Sequence, residues 1–416
     1  MSLRKVGPTK IVCTLGPSSW DEAVIRKMID NGMGVARVNF SHGDRELHRK
    51  VFGILNKIRE EEKYATLAVA VDTKGPEIRI GSFPRGPVEV KVGARVVFST
   101  DAIYKENSSQ EHVYIDYPQI LQEIEESQVK NIYIDDGKLK LKVIAVDRER
   151  KEISTEALTA YALSSKKGVN IPGASISLPG VTAQDKEDIA FGAENGADFV
   201  FASFIRSAAN LKEIRTVIGA EKMKIVAKIE CNEALVNIEE IVEEADGVMI
   251  ARGDLGIEID YASLFFTQCK ISHLCVEMGK PFIVATQMLE SMTESSRPTR
   301  AEVTDVGFAC MSMAGCTMLS GETAAGKDPV NVVSAMRRIL LETAEQFSEY
   351  HNKSNTGIYC SAKNPYTIEV LVSSNKRELR AYQIVHGVHV IYSTDPESLR
   401  EFPKIPLGYS NTIRKI

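Results

Sequence analysis

Lys224-Ile225-Val226-Ala227-Lys228-Ile229-Glu230 is an apolar run that ends in charge. After a helical stretch at 233–244 it is followed by Gly247-Val248-Met249-Ile250-Ala251-Arg252-Gly253-Asp254, which does the same. Short, nearly continuous, β-branched runs are how parallel strands buried on both faces read. Moving outward, the same unit recurs at 10–15, 35–40, 67–71, 199–204, 281–285 and 316–319. The stretches at 20–31, 45–57, 183–195, 208–218, 261–279, 299–314 and 330–350 repeat their apolar residues with the helical period of about 3.6. Gly32, Gly196, Gly219 and Gly279 follow helix ends, where a left-handed cap is wanted. Eight strand–helix units in series predict an α/β fold, a (β/α)8 TIM barrel.

Two segments break that rhythm. Residues 75–168 fall between the third run and its helix and alternate apolar with polar residues, as in Val88-Glu89-Val90-Lys91-Val92, 96–98 and 138–146. Gly93 and Asp136-Gly137 occupy turn positions. The reading is a small all-β domain, a β-barrel, inserted into a βα loop. Such a loop opens over the active face of a barrel and suits a lid. Further on, 368–372 and 388–392 read as strands flanking a helix at 376–385, one βαβ unit before a Pro-rich polar tail. The expected organisation is a catalytic barrel domain at 1–74 and 169–345, an inserted lid domain at 75–168 and a short, truncated α/β C-terminal domain at 346–416.

Composition narrows the function. The 416 residues are 44% hydrophobic and 26% charged, ordinary for a globular chain. Lys plus Arg is 51 against 56 Asp plus Glu, a net charge of −5, without the basic footprint of a nucleic-acid binder. No apolar run approaches the roughly 18 residues of a membrane span. The N-terminal run is ended by Gly16-Pro17, too soon for a signal peptide. Seven cysteines without a Cys-x-x-Cys pair read as reduced thiols, and the expected compartment is cytoplasmic.

Reactive groups in such barrels stand at the C-terminal strand ends. Read in order, these ends carry Thr14, then Asn39, Ser41 and His42, then Asp72, Thr73 and Lys74. Next come Ser203 and Arg206, Lys228 and Glu230, Arg252-Gly253-Asp254, Thr286-Gln287 and Gly321-Glu322-Thr323. Lys228 and Glu230 are two apart and share a strand face, which suits charge stabilisation and metal binding or, equally, a structural ion pair. The glycines of Arg252-Gly253-Asp254-Leu255-Gly256 let backbone N–H groups approach an anion, and Asp254 brings a second carboxylate towards Glu230. Two carboxylates with ligand oxygens are a normal set for Mg²⁺, less specifically Mn²⁺; a glycine turn with an exposed Asp is the alternative. Asn39, Ser41, Asp72 and Thr73 form an oxygen-rich set for a hard cation, unless they serve turns and helix caps. Arg37 shares the face of Asn39 and suits phosphate. Gly321-Glu322-Thr323-Ala324-Ala325-Gly326-Lys327 fits the start of a P-loop, but Asp328 replaces the hydroxyl residue that binds Mg²⁺, so a loop lining the barrel mouth is expected instead.

Together these segments resemble pyruvate kinase. The resemblance rests on Thr9-Lys10-Ile11-Val12-Cys13-Thr14-Leu15-Gly16-Pro17-Ser18-Ser19, Ala36-Arg37-Val38-Asn39-Phe40-Ser41-His42-Gly43 and Asp72-Thr73-Lys74-Gly75-Pro76-Glu77-Ile78-Arg79. It continues through Lys167-Gly168-Val169-Asn170-Ile171-Pro172-Gly173, Ala202-Ser203-Phe204-Ile205-Arg206, Ala227-Lys228-Ile229-Glu230 and Ala251-Arg252-Gly253-Asp254-Leu255-Gly256-Ile257-Glu258. Ala285-Thr286-Gln287-Met288-Leu289-Glu290-Ser291-Met292, Pro298-Thr299-Arg300-Ala301-Glu302 and Leu319-Ser320-Gly321-Glu322-Thr323 complete it, in family order over about the first 345 residues.

The resemblance implies phosphoryl transfer from phosphoenolpyruvate to ADP, giving ATP and pyruvate, with Mg²⁺ or Mn²⁺ and K⁺ as cofactors. It implies that Lys228 stabilises the transferring phosphoryl group and that Glu230 and Asp254 ligate Mg²⁺. Gly253, Asp254 and Thr286 would cradle the substrate carboxylate, and Thr286 would help protonate the enolate. Arg37 and Ser203 would contact substrate; Asn39, His42, Arg79 and Lys167 would contact nucleotide; Asn39, Ser41, Asp72 and Thr73 would hold K⁺. Glu77 is the residue type that accompanies K⁺ dependence in this family. A homo-oligomer, tetramer or dimer, is implied as well.

The chain departs from the family pattern at Cys231, where Asn is usual, at Ile80 and across 307–316. Against the family pattern its C-terminal domain is expected to be short, without a leading helix or the family domain's second half, and Ser373-Ser374-Asn375-Lys376 matches the family's sugar-bisphosphate loop poorly. Two other classes fit parts of the pattern: a Mg²⁺-dependent aldolase or lyase barrel, and a ligand-binding relative without turnover.

Overall fold

A computed structural model describes residues 7–135, 137–174, 176–219, 223–353, 368–373, 375–386, 388–392 and 411–415. Asp136 of the expected turn, Ser374 and the tail at 393–410 lie outside the described residues. Eight parallel strands close into one barrel: β1 (Lys10–Leu15), β2 (Met33–Asn39), β3 (Ala68–Asp72), β4 (Phe199–Ala202), β5 (Lys224–Ile229), β6 (Gly247–Ala251), β7 (Phe282–Ala285) and β8 (Cys316–Leu319). Strand neighbours follow chain order, and β8 pairs with β1 to complete the ring. This is the TIM-barrel architecture expected from the repeated strand–helix unit.

Strand alternation sorts the barrel residues into two cores. Val12, Val35, Ala68, Ala70, Phe199, Phe201, Val226, Met249 and Ile283 point inward and fill the interior. Their neighbours, such as Cys13, Ala36, Val69, Val200 and Ala227, point outward and pack beneath the helices. The helices begin where the side chains dictate. Asp21 accepts from the Ala23 and Val24 N–H groups ahead of Glu22–Asn31, and Asp44 accepts from Leu47 N–H ahead of Arg45–Glu60. Thr182 with Asp185 and Thr299 with Glu302 form reciprocal capping boxes. The stretch expected as one helix at 233–244 is two, Asn232–Val236 and Ile238–Glu244. The break is at Asn237, whose side-chain amide donates to the Arg206 carbonyl at 2.8 Å.

The segment after β3 leaves the barrel at Gly75. Its φ of +73° suits glycine, and a Cβ there would lie 2.9 Å from the Ser203 side chain. A seven-stranded sheet follows, running from Ile78–Arg79 through Gly168–Asn170 to Val113–Tyr114 at its far edge. An antiparallel bridge between Ile80 and Ile115 joins the two edges and curls the sheet into a small barrel. Its core, with Phe98, Ile115, Ile134 and Leu141, is separate from the cores of the large barrel.

Near the chain's end three parallel strands form a sheet with Ile368–Ser373 central, flanked by Val388–Tyr392 and Asn411–Lys415. The third strand extends the single βαβ unit read from sequence, because a lone pair of strands leaves too many faces uncovered. The connecting segment holds a helix at Lys376–Ala381 and a 3₁₀ turn at Tyr382–Ile384. That turn seals the N-terminal end of the barrel. Ile384 joins the interior core, the Gln383 amide donates to the Thr66 carbonyl at 2.7 Å, and the Cys316 thiol donates to the Gln383 carbonyl at 3.3 Å. No helix among the described residues is long and apolar enough to cross a membrane.

Gly315 marks how closely the plug fits, since a Cβ built there lies 1.7 Å from the Ile384 carbonyl oxygen. Gly315→Ala must displace the plug, at a cost of roughly 1–3 kcal/mol. The control is Gly53→Ala, inside Arg45–Glu60 with nothing within 4 Å of its Cβ position. It should gain up to about 1 kcal/mol from helix propensity. Thermal denaturation with limited proteolysis around 375–386 checks the pair: Gly315→Ala lowers Tm and speeds cleavage there, and Gly53→Ala does neither.

Candidate functional site

The inward-facing positions change character at the C-terminal strand ends. On β2, Val35 is followed by Arg37 and Asn39; on β3, Ala68 and Ala70 by Asp72; on β5, Val226 by Lys228 and Glu230. Two-residue spacing carries each strand's interior face into a polar layer. Above that layer a cavity of about 470 Å³ opens between the barrel and the inserted sheet. Its wall takes Arg37, Asn39, Asp72, Lys228 and Glu230 from strand ends, Ser41, His42 and Ser203 from the loops that follow, and Asp254 from the helix after β6. The inserted segment contributes Arg79 and Lys167, and Asn170 stands just after it.

One network organises the floor. Asp72 accepts from the Arg37 Nε at 2.6 Å and from the Lys228 Nζ at 3.1 Å. The Arg37 fork also donates to the Thr14 hydroxyl at 2.8 Å. Lys228 donates to the Ser203 hydroxyl at 2.7 Å and pairs with Glu230 at 3.0 Å. Ser203 in turn donates to the Thr73 carbonyl at 2.6 Å. The other Glu230 oxygen accepts from the Phe204 N–H at 2.7 Å, where Phe204 takes a left-handed φ of +52°. Burial alone would lower the Lys228 ammonium, but the Asp72 and Glu230 carboxylates outweigh it and hold the lysine above its ordinary value. Burial likewise acts to raise Asp72, and Arg37 and Lys228 together hold it below the usual carboxylate range. Lys228 and Asp72 thus hold each other in their charged forms.

The sequence Arg252-Gly253-Asp254-Leu255-Gly256 forms the first part of a helix, Arg252–Glu258, rather than the glycine turn weighed as its alternative. Gly253 and Asp254 thus lie in a first turn, where backbone N–H groups have no partner within the helix. A Cβ on Gly253 would lie 3.5 Å from Thr286, so these two residues stand side by side at the edge of the cavity rather than on its wall. Thr286 is half-buried with φ +72°, and its hydroxyl donates to the Ala285 carbonyl at 2.5 Å.

Most sequence-singled residues converge, but not identically. Thr73 is buried beneath the cavity, its hydroxyl accepting from Ser203 N–H at 3.1 Å, while Asn39, Ser41 and Asp72 line the wall. Arg79 pairs with Glu77 at 2.5 Å and donates to the Lys166 carbonyl at 2.7 Å; Lys167 pairs with Asp135 at 3.0 Å. The P-loop-like stretch 321–327 does not line the cavity. It starts a short helix, Gly321–Ala324, whose buried Glu322 accepts from the Ser320 and Leu289 N–H groups. Sequence reasoning gave no role to Asp135 or Glu258, which both line the cavity. Glu258 had a signal, a carboxylate ending the quoted Arg252–Glu258 segment; Asp135 had none beyond its turn.

Glu230 and Asp254 are hard oxygen donors on one wall and fit a divalent cation of the Mg²⁺ type. Among the described residues no group of three or more His, Cys, Asp and Glu side chains gathers as a metal site. A cation held there would complete its shell with oxygens from other sources, including water, which Mg²⁺ commonly retains.

Known proteins place the chain in context. The family model described as pyruvate kinase, barrel domain, matches residues 6–333. A pyruvate kinase from Trypanoplasma borreli is 44% identical over 334 residues, covering 80% of this chain and 66% of that protein. One from Leishmania mexicana is 42% identical over 345 residues, 82% and 68%. One from Geobacillus stearothermophilus is 44% identical over 349 residues, 83% and 58%. The chain thus spans about two thirds or less of the length of the relatives it matches.

Burial raises Glu258 from an ordinary 4.5 to about 7, against a hydrogen bond from the Asn170 side chain that lowers it. The folded state therefore holds this proton more tightly than the unfolded chain. That favours folding below about pH 4.5, and the contribution is lost as pH rises through about 7. Glu258→Gln removes the titration. Its Tm should exceed the parent's near pH 8 and match it near pH 5, as read by thermal denaturation at about those two values.

Proposed function

The chain belongs to the pyruvate kinase family, and from that premise we propose that it transfers the phosphoryl group of phosphoenolpyruvate to ADP, giving ATP and pyruvate, the final step of glycolysis. The observation that carries this reading is the Lys228 ammonium, buried among Asp72, Ser203 and Glu230 at the base of a cavity that Arg37 also faces. Phosphoryl transfer needs alignment and charge neutralisation more than covalent help. Lys228 meets the transferring phosphoryl group as a point charge held in place before substrate arrives, so little reorganisation accompanies the reaction. Arg37, its fork oriented by Asp72 and Thr14, grips the phosphate oxygens. The Gly253 and Asp254 N–H groups and the Thr286 hydroxyl receive the substrate carboxylate. Ser203 keeps Lys228 on line and borders the substrate. Once the phosphoryl group has left, Thr286 helps deliver a proton, through water, to the methylene carbon of the enolate.

Asn39, His42, Arg79 and Lys167 are the proposed nucleotide contacts. Arg79 and Lys167 belong to the inserted segment, so closing residues 75–168 over the barrel would bring both cations to the nucleotide phosphates and exclude water. The proposed division keeps 1–74 and 169–345 as the catalytic barrel and 346–416 as a short C-terminal domain. Mg²⁺ or Mn²⁺ held by Glu230 and Asp254, and K⁺ held by Asn39, Ser41, Asp72 and Thr73, would supply positive charge to the phosphate and carboxylate oxygens. Exposed Tyr261, Phe265 and Phe266 on the outer helices support a homo-oligomer, tetramer or dimer. The cytoplasm is the proposed location.

Lys228→Met should keep the fold and lower ADP-dependent pyruvate release by about 10³-fold, by comparison with other charge clamps. The assay is pyruvate formation from phosphoenolpyruvate with Mg²⁺, with and without ADP and with and without K⁺, alongside circular dichroism. ADP-dependent release by the parent establishes the kinase, and near-parental turnover in Lys228→Met overturns the assigned role.

A further inference from the structure

We propose that Arg252 is a positioning residue that holds Thr286 in a left-handed backbone conformation, fixing the hydroxyl that the proposed reaction uses; this rests on the reading of Thr286 given above. Thr286 has φ +72° and the next residue, Gln287, has φ +53°. Neither is glycine, and Thr is β-branched, for which this region is a genuine outlier. Such a backbone persists only where its surroundings over-determine it. The Arg252 guanidinium is that surrounding. Its Nη2 donates to the Thr286 carbonyl at 2.6 Å, and its Nε reaches the Thr286 and Ala285 carbonyls at 3.3 Å each. Its Nη1 pairs with Asp305 at 2.6 Å, which anchors the fork to the helix Arg300–Met311. The Met288 sulfur lies 2.9 Å from Nη2 on the remaining side, and the arginine side chain is only 11% exposed.

The fork thus satisfies two successive carbonyls at the end of β7 while its own backbone starts the helix that presents Gly253 and Asp254. One residue ties the N–H groups of the carboxylate cradle to the hydroxyl beside them. A lysine has no second donor in a fixed plane and cannot hold both carbonyls, so Arg252→Lys should not rescue.

The test compares Arg252→Met, Arg252→Lys and Asp305→Asn with Thr286→Val. Amide hydrogen exchange over 285–289 reads positioning without turnover. Arg252→Met should speed exchange there by at least about tenfold while β6 keeps its protection. In the kinase assay Arg252→Met should lower kcat by about 10²-fold with KM for phosphoenolpyruvate within about threefold. The double variant Arg252→Met with Thr286→Val should be no slower than Thr286→Val alone, because both act on one group. Unchanged exchange at 285–289, or losses that multiply in the double variant, overturns the proposal. If Arg252→Met does not fold, Asp305→Asn loosens the same fork and carries the same comparisons. An inactive parent whose exchange at 285–289 still responds would sink the kinase reading and leave the positioning role standing.

Discussion

Two cations, Arg37 and Lys228, are buried within one barrel, and a single carboxylate, Asp72, lies against both. Without it the two charges would repel each other in a medium that screens poorly. With it, each cation is held in one geometry, and the Lys228 ammonium is held above its ordinary value. Ser203 and Glu230 complete the shell around the ammonium, and Thr14 completes the shell around the guanidinium. These groups come from five neighbouring strand ends or the residues just beyond them, so the constellation exists only when those strands stand side by side. A buried ion network is weak evidence for stability, since desolvation can offset its attraction. Its value here is geometric, a set of charges already aimed at the cavity.

Much of this was legible in the sequence, for identifiable reasons. Eight apolar runs ending in charge state both the strands and the direction in which they point. Two-residue spacing placed Lys228 with Glu230 and Arg37 with Asn39 on inward faces. The glycines after helix ends followed from local chemistry, with Gly32, Gly196, Gly219 and Gly279 all at positive φ.

What escaped was non-local or strained. The Asp72–Lys228 contact joins residues far apart in sequence, and no periodicity reports it. The helix Arg252–Glu258 carries two glycines in seven residues, which disguises it as a turn. The P-loop-like stretch at 321–327 kept its glycines and lysine but spends its buried Glu322 on two backbone N–H groups of neighbouring loops. The left-handed backbone of Thr286 is imposed from outside its own sequence. The plug formed by Ile384 could not be foreseen, because only the closed barrel creates the hole it fills.

The insertion after β3 has a consequence for how the chain reaches this structure. β3 and β4 are adjacent in the barrel but separated in sequence by the whole inserted sheet, and β1 must wait for β8 to be made before it has its second neighbour. Contacts of such long range are slow to form, because a large loop must close before any pairing compensates for it. The inserted sheet, with a core of its own, can condense first and bring Asp72 and Phe199 within a short span. Until β8 and the plug arrive, the interior apolar face of the growing barrel stays open to solvent. The last third of the chain therefore decides whether the earlier strands become a barrel or an aggregate.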